Sequence, residues 1–243
     1  MNRLLILQHL QREGPGLFVQ IAEERGFSVY TFRLDLGDSL PEIIKGDLLL
    51  VMGGTMGIRD IGNPNFPWLK KEIDLIKNAL NQEIGIIGVC LGAQLLAYAA
   101  GGDVELLEEG FSSKPLAEIG WHSVYSRFLE KNNKLTKLLG KTFPVLHWHG
   151  DRIILPTSAK LIGSSCRCKE QLFQIGSKAY GIQFHVEIED VMVRRWINED
   201  KDFITSALGQ DGQSILQKQQ DEYGDKTLEA RLEFLNTMID LVS

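Results

Sequence analysis

Cys90 lies at the end of an apolar run bounded by glycines, in the sequence IGIIGVCLGAQ over residues 84–94. The run predicts a buried strand that turns sharply into a helix. A thiol at the amino end of a helix experiences the partial positive charge of that end, which favours the reactive thiolate. Glycines on both sides suit a tight turn like the nucleophile elbow of serine hydrolases. Cys90 is therefore a candidate nucleophile, and the alternative is an inert buried cysteine.

A histidine and a carboxylate at the end of a second apolar run could activate this thiol. Residues 180–187 read YGIQFHVE and predict a strand that ends in His185. Residues two apart on a strand share a face, so Glu187 can orient the imidazole while its other ring nitrogen faces the sulfur. This arrangement is the nucleophile, base and orienting group of a catalytic triad. The alternative is a core histidine without a catalytic role, but the joint occurrence of these residues at strand ends favours the triad.

The elements that must position these residues alternate along the first third of the chain. Apolar runs at 3–9, 28–34, 47–54 and 84–90 predict strands, and residues 14–26 and 67–82 predict the helices between them. This alternation predicts an α/β fold with a doubly wound parallel sheet. Functional residues of such sheets gather at the carboxyl ends of the strands, where Gly53, Gly54 and Cys90 all fall.

The rest of the chain has a different pattern. Residues 103–187 contain mostly strand-like runs and predict either an antiparallel extension of the sheet or a small second sheet. The C-terminal part predicts helices, with apolar stripes that include Val191, Val193, Trp196 and Ile197, and later Leu228, Leu232, Leu235, Ile239 and Val242.

Composition excludes several classes of protein. The 243 residues are 44% hydrophobic and 24% charged, which is typical of a globular domain. The net charge of −6 and the lack of a basic stripe argue against nucleic-acid binding. Three cysteines do not suggest a disulfide framework. Because no signal peptide and no run of eighteen apolar residues is evident, we expect a cytoplasmic protein that does not bind membranes.

Four motifs, in this order, resemble class I glutamine amidotransferases, and in particular the free-standing members similar to the amidotransferase domain of GMP synthase. They are VMGGTMG followed by PWLKKEIDLIKNAL, then GVCLGAQ, HWHGDRIILP and GIQFHVE, all within residues 46–187. The resemblance implies that Cys90, His185 and Glu187 are catalytic, and that residues 1–243 form one domain with a flavodoxin-like fold. One departure is Val186, where this group usually has proline, and valine suits the same extended backbone.

The resemblance also implies the groups that hold the substrate. The N–H groups of Gly54 and Leu91 would form the oxyanion hole, whose donors stabilise a tetrahedral intermediate. Gly53 and Gln94 would contact the substrate. The alternatives are a flexible glycine-rich turn and an ordinary helix position. The loop lacks the spacing and the lysine of a P-loop, so it does not predict nucleotide binding.

The sequence His147-Trp148-His149 leaves several interpretations open. The two histidines share one face of a strand and could bind a metal, but the sequence reveals no third ligand, so no metal is expected. We expect Trp148 to face the core and His149 or Asp151 to line or brace the pocket, with His149 assigned to substrate binding. Cys166 and Cys168 are interpreted as two incidental thiols.

The predicted reaction is hydrolysis of the glutamine side-chain amide through a glutamyl thioester on Cys90, with no cofactor. The sequence has neither a P-loop nor a Ser-Gly-Gly ATP-pyrophosphatase motif. Ammonia would therefore pass to a separate synthase subunit, or the enzyme would be a hydrolase of γ-glutamyl peptides that needs no partner. A catalytically silent binding protein is a further alternative, which the presence of all three triad residues disfavours.

Overall fold

A computed structural model describes residues 2–108, 116–127, 134–140 and 143–243. Nine of the eleven strands in these ranges form one mixed sheet in the order β2-β1-β3-β4-β11-β10-β9-β6-β7, and β5 and β8 form a separate antiparallel pair. The strands are β1 Arg3–Gln8, β2 Ser28–Arg33, β3 Leu48–Val51, β4 Gly85–Val89, β5 Asp103–Leu106, β6 Glu118–Ser126, β7 Phe143–His149, β8 Asp151–Ile154, β9 Ala159–Ser164, β10 Leu172–Ile175 and β11 Ala179–Ile182.

The α-helices flank the sheet. They are α1 Leu17–Glu24, α2 Leu69–Asn81, α3 Leu91–Ala99, α4 Lys134–Leu139, α5 Asp190–Glu199, α6 Lys201–Leu208, α7 Gly212–Tyr223 and α8 Leu228–Val242. Within the described ranges, none of them is both long enough and apolar enough to span a bilayer.

Strands β2, β1, β3, β4 and β11 are parallel to one another. Every residue of β3 and β4 is buried, as expected for parallel strands that are covered on both faces. Their carboxyl ends lie at one edge of the sheet. His9 follows β1, Gly53 and Gly54 follow β3 closely, Cys90 follows β4, and Gln183 follows β11.

The antiparallel strands β10, β9, β6 and β7 continue the sheet beyond β11. Both alternatives left open by the sequence therefore occur, because the extension coexists with the small β5–β8 sheet. The predicted fold class, an α/β sheet that is mostly parallel with an antiparallel extension and C-terminal helices, is confirmed.

Packing on the two faces follows the alternation of side chains along the strands. Leu4 and Ile6 pack with α1 and α8 on one face, whereas Leu5 and Leu7 pack with α2 and α3 on the other. A third cluster joins α5, α6 and α7 to β6 and β7. The predicted C-terminal stripes are only partly correct, since Val191 and Leu228 are exposed.

Candidate active site

Cys90 lies in the tight turn between β4 and α3. Its backbone has φ +50°, a left-handed conformation that costs a non-glycine residue about 1–3 kcal/mol. The surrounding structure holds this turn, because the Cys90 N–H donates to Ile182 O over 2.7 Å. A Cβ atom at Gly88 would overlap the backbone of Gly92, and one at Gly92 would overlap the carbonyl of Val51. The glycines around Cys90 are therefore required by close backbone packing.

His185 connects Cys90 to Glu187. Its Nδ1 donates to Glu187 Oε1 over 2.7 Å, and the Cys90 side chain lies close enough to the ring to favour its protonated form. Burial disfavours the imidazolium, but the charge and hydrogen bond of Glu187, together with the neighbouring Cys90 side chain, outweigh this effect and raise the pKa of His185 well above its usual value. The arrangement can therefore hold a proton on the imidazole beside the sulfur.

The segment that carries His185 and Glu187 is not the strand predicted from the sequence. Strand β11 ends at Ile182, and His185 forms an isolated antiparallel bridge with Leu146, whose carbonyl accepts its N–H over 2.8 Å. The His185 ring also packs edge-on against Trp196, with 4.8 Å between the ring centroids. His185 is therefore positioned by its pairing with β7 and its packing against α5, and not by a continuation of strand β11.

Two helices hold the backbone around Glu187. The N–H of Leu17 in α1 donates to Glu187 O over 2.8 Å. The buried guanidinium of Arg231 in α8 donates to the carbonyls of Val186 and Ile188 over 3.2 and 2.6 Å. Burial lowers the pKa of Arg231 to about 10 although the charge of Glu187 opposes the change, so the group stays cationic near neutral pH. Within the described ranges, Glu187 Oε2 has no hydrogen-bond partner, so this carboxylate is held through its other oxygen by His185.

Two glutamine amides form a hydrogen-bonded chain that ends at the sulfur of Cys90. Gln94 Nε2 donates to Gln183 Oε1 over 3.3 Å, and Gln183 Nε2 donates to Cys90 Sγ over 3.6 Å. Both side chains are buried. An N–H donor directed at sulfur stabilises the thiolate. Gln183 is not among the site residues predicted from the sequence, although it lies two residues before His185 and so shares its side of an extended chain.

The loop after β3 lies against the turn that holds Cys90. A Cβ atom at Gly54 would come within 2.5 Å of Met56 Sδ and 2.8 Å of Leu91 Cδ2, so only glycine fits there without displacement. Among the described residues, the N–H groups of Gly54 and Leu91 donate to no protein acceptor. These two free donors flank Cys90 from the loop and from the first turn of α3.

The carbonyl of Gly53 in the same loop is bonded to a buried ion pair. His9 Nδ1 lies 2.9 Å from Gly53 O, and His9 Nε2 lies 2.8 Å from Glu72 Oε1. Neither His9 nor Glu72 is accessible to solvent. Burial opposes protonation of His9, but the charge and hydrogen bond of Glu72, together with the Gly53 carbonyl, raise its pKa above the usual value.

A cavity of about 280 Å³ opens over Cys90. Of the residues expected at the site, Gly54, Cys90, Gln94, His149 and His185 line it. Its wall also contains Asp151 and three charged residues that the sequence did not indicate, Arg12, Glu13 and Asp200. Arg12 Nη1 pairs with Asp200 Oδ1 over 2.5 Å. Burial raises the pKa of Glu13, although the charges of His185 and Arg12 oppose the change.

His149 belongs to a buried cluster behind the cavity. Its Nδ1 donates to Asp151 O over 2.9 Å, and its Nε2 lies 3.2 Å from Glu118 Oε2. His147 Nδ1 lies 3.5 Å from the same oxygen, and neither ring nitrogen of His147 has a hydrogen-bond partner among the described residues. Glu118, His147 and His149 thus offer three groups of the types that bind divalent metals, within 4.8 Å of one another.

Neighbouring protein groups, without a metal ion, account for the burial of the Glu118 carboxylate in this cluster. Burial opposes ionisation of Glu118, but the hydrogen bond from His149 and the histidine charges lower its pKa to about 2. Burial lowers the pKa of His147 to about 3, which keeps that ring neutral. Gln171 Nε2 also donates to Glu118 Oε2 over 2.7 Å. The Glu118 carboxylate is therefore satisfied by protein donors.

Trp148 packs against the third core cluster, as expected, and it also borders the cavity. It is half-buried and lines the cavity, and its indole N–H donates to Asp200 Oδ2 over 2.9 Å. The rings of Trp196 and Phe203 pack against it. His147 and His149, on either side of Trp148 in β7, are buried, and Glu118 of the neighbouring strand β6 lies beside both of them.

Comparison with known proteins is consistent across sequence and structure. The family described as glutamine amidotransferase class-I matches residues 17–190. A glutamine amidotransferase-like protein of Salmonella typhimurium, YfeJ, is 29% identical over 210 residues, which cover 85% of this chain and 84% of that one. A glutamine-hydrolyzing GMP synthase subunit from Methanosphaera stadtmanae is 31% identical over 58% of this chain and 65% of its own length. The crystal structure of a glutamine amidotransferase from Thermotoga maritima superposes with a TM-score of 0.80 at 28% identity, covering 99% of this chain and 98% of that one.

Proposed function

Because the chain belongs to the class I glutamine amidotransferase family, we propose that it hydrolyses the side-chain amide of glutamine to glutamate and ammonia, with Cys90, His185 and Glu187 as its catalytic residues. The observation that carries the proposal is the position of His185, which donates to Glu187 over 2.7 Å and lies beside Cys90 in the lining of the same cavity. This is the geometry that nucleophilic catalysis by a thiolate requires.

In the first half-reaction the Cys90 thiolate attacks the amide carbon and forms a carbon–sulfur bond. The carbonyl π electrons move to oxygen, and the N–H groups of Gly54 and Leu91 stabilise that oxyanion. The intermediate collapses as the carbon–nitrogen bond breaks, and His185 protonates the departing nitrogen. The products of this step are ammonia and a cysteinyl-glutamyl thioester.

In the second half-reaction, His185 takes a proton from water, which attacks the thioester carbon. A second oxyanion forms in the same place, and its collapse breaks the carbon–sulfur bond. Glutamate leaves and the thiolate–imidazolium pair is restored. The hydrogen bond from His185 Nδ1 to Glu187 supports both steps, because it keeps Nε2 directed at the reacting atoms.

The charges of the cavity suit the amino-acid end of the substrate. Glu13, Asp151 and Asp200 supply three carboxyl groups in the described lining, and the basic groups there are Arg12 and His185. Arg12 is already paired with Asp200 and His185 with Glu187, so Glu13 and Asp151 are left to attract an α-ammonium group. Gln94, Gly53 and His149 complete the proposed contacts to the substrate. A glutamyl group carries this ammonium whether its γ-carbonyl is bonded to ammonia or to a peptide nitrogen.

We further propose that residues 1–243 act as a single amidotransferase domain that delivers ammonia to a separate synthase subunit. The relative from Methanosphaera stadtmanae supports this idea, since it is named as one subunit of a GMP synthase and so as one part of a larger enzyme. Self-sufficient hydrolysis of γ-glutamyl peptides is the competing activity, and both use the same thioester chemistry.

The test is release of glutamate from free glutamine and from a panel of γ-glutamyl peptides, with Cys90→Ala as the blank. Turnover of glutamine alone is the expected result. A preference for γ-glutamyl peptides would replace the amidotransferase role with that of a hydrolase. Equal rates for the wild type and Cys90→Ala on every substrate would refute the proposed catalytic role of Cys90.

A further inference from the structure

One peptide group links the proposed oxyanion hole to a buried ion pair. The carbonyl of Gly53 and the N–H of Gly54 belong to the same peptide, and in a trans peptide these two bonds point in opposite directions. Whatever holds the carbonyl therefore also sets the direction of the N–H. His9 Nδ1 holds this carbonyl at 2.9 Å.

The protons of this contact can be assigned from its chemistry. A carbonyl oxygen only accepts hydrogen bonds, so Nδ1 of His9 carries a proton. On the other side of the ring, Nε2 faces Glu72 Oε1 at 2.8 Å, and both side chains are buried. The second oxygen of Glu72 has no partner in the part of the chain that the structure describes. A buried carboxylate needs a compensating charge, which an imidazolium on His9 supplies.

We propose that His9 and Glu72 are positioning residues that hold the Gly53–Gly54 peptide with the Gly54 N–H directed at the reacting carbonyl oxygen. The inference rests on the proposed function. If this peptide turned over, the Gly53 oxygen would replace the Gly54 N–H at the site and repel the developing oxyanion. Turning it over would also leave the buried Nδ1–H of His9 without an acceptor, so the pair resists that change.

The loop packing adds a second restraint on the same peptide. A Cβ at Gly54 would lie 3.2 Å from the Cβ of His9, so the His9 side chain leaves little free space beside this loop. His9 follows β1 and Glu72 lies on α2, which makes the support independent of the strand that carries the loop. Besides Glu72, the charged groups Glu13 and Asp35 also lie near enough to His9 to interact with it electrostatically.

The test compares two reactions of Cys90 in variants at these positions. Alkylation by iodoacetamide needs the thiolate but forms no oxyanion, whereas turnover of glutamine needs both. His9→Ala should lower kcat by about 100- to 1,000-fold, the effect of losing an oxyanion donor, while KM and the alkylation rate stay unchanged. His9→Asn offers an amide N–H near the position of Nδ1 and should restore part of kcat. Glu72→Gln should lower kcat in the same selective way.

Asp47→Asn is the matched control. Asp47 pairs with Arg3 over 2.6 Å, and this ion pair connects the start of β1 to the residue before β3, at the opposite edge of the sheet. The substitution Asp47→Asn should therefore leave kcat unchanged. If circular dichroism shows that His9→Ala does not fold, the rates of glutamine turnover and of Cys90 alkylation can be measured on His9→Asn and Glu72→Gln.

The inference is overturned if these variants keep the wild-type kcat, or if kcat and alkylation fall together, as a general collapse of the site would produce. Failure of the proposed function is distinct. In that case the wild type itself would release no more glutamate than Cys90→Ala does.

Discussion

His185 Nδ1 donates to Glu187 Oε1 over 2.7 Å, and both side chains are at least 98% buried. This hydrogen bond fixes the tautomer of the ring, so that Nε2 is left for Cys90. A buried carboxylate next to a buried imidazole also favours the protonated ring, which explains why the pKa of His185 rises despite its burial. The geometry of this pair therefore predicts how the activity depends on pH.

Glu187→Gln should shift the alkaline limb of the pH profile to lower pH. The amide can still accept the hydrogen bond but loses the charge, so the pKa of His185 falls. A histidine loses its proton as pH rises through its pKa, so a lower pKa places the loss of the general acid at lower pH. We also expect kcat to fall by about 10²- to 10⁴-fold. The measurement is kcat/KM against pH for both proteins, and an unchanged alkaline limb would contradict the role given to Glu187.

Gln183→Leu should slow the reaction of Cys90 with iodoacetamide. The substitution removes the amide donor whose nitrogen lies 3.6 Å from the sulfur, and a lost hydrogen bond to a charged group costs about 1.5–3 kcal/mol, equivalent to roughly 10- to 150-fold in rate. Gln174→Leu is the control, because the Gln174 amide bonds to the carbonyls of Gly176 and Ser177, in the turn between β10 and β11. Equal alkylation rates in Gln183→Leu and the wild type would exclude the interaction.

Gly54→Ala should abolish most turnover, whereas Gly53→Ala should be milder. The added methyl group at Gly54 would press against Met56 and Leu91 and move both proposed oxyanion donors, at a cost of about 10²–10³ in kcat. At Gly53 the nearest obstacle is the end of the flexible Glu13 side chain, which can turn away. Steady-state kinetics of the two variants, with thermal unfolding to compare stability, make the test. A Gly54→Ala enzyme at least as active as Gly53→Ala would contradict it.

Cys168 should resist alkylation in the native protein. Burial raises the pKa of its thiol to about 12, and the charges of Glu118 and Glu170 add to the effect, so the thiolate is scarce near neutral pH. Cys166, two residues earlier, is exposed. Timed labelling with iodoacetamide and peptide mass spectrometry should detect Cys166 quickly and Cys168 only after unfolding in guanidinium. Native labelling of both at one rate would contradict the burial of Cys168.

The sequence predicted the fold class because hydrophobic periodicity and glycine-bounded turns are local signals. The same signals indicated that Cys90 and Gly54 lie at one edge of the sheet, since parallel strands end together. The proximity of Cys90, His185 and Glu187 follows from that topology, and their catalytic roles remain predictions.

These local signals could not predict contacts between residues that are distant in the sequence. Glu72 reaches His9 from a helix 63 residues away, and Glu118 meets His149 only through the register of β6 and β7. The sequence predicts a core position for Trp148, and Trp148 does pack against the third core cluster. Its additional place at the cavity depends on contacts with Trp196 and Phe203, which are distant in sequence. His9 could have been found, because it directly follows a parallel strand that ends at the same edge.

The most direct test of the central claim is covalent trapping of the nucleophile with a glutamine analogue that carries a diazoketone. Peptide mass spectrometry of the treated wild type should locate the adduct on Cys90, excess glutamine should slow its formation, and Cys90→Ala should remain unmodified. An adduct on another residue, or undiminished glutamate release by Cys90→Ala, would contradict the assignment of Cys90 as the residue that forms the glutamyl thioester.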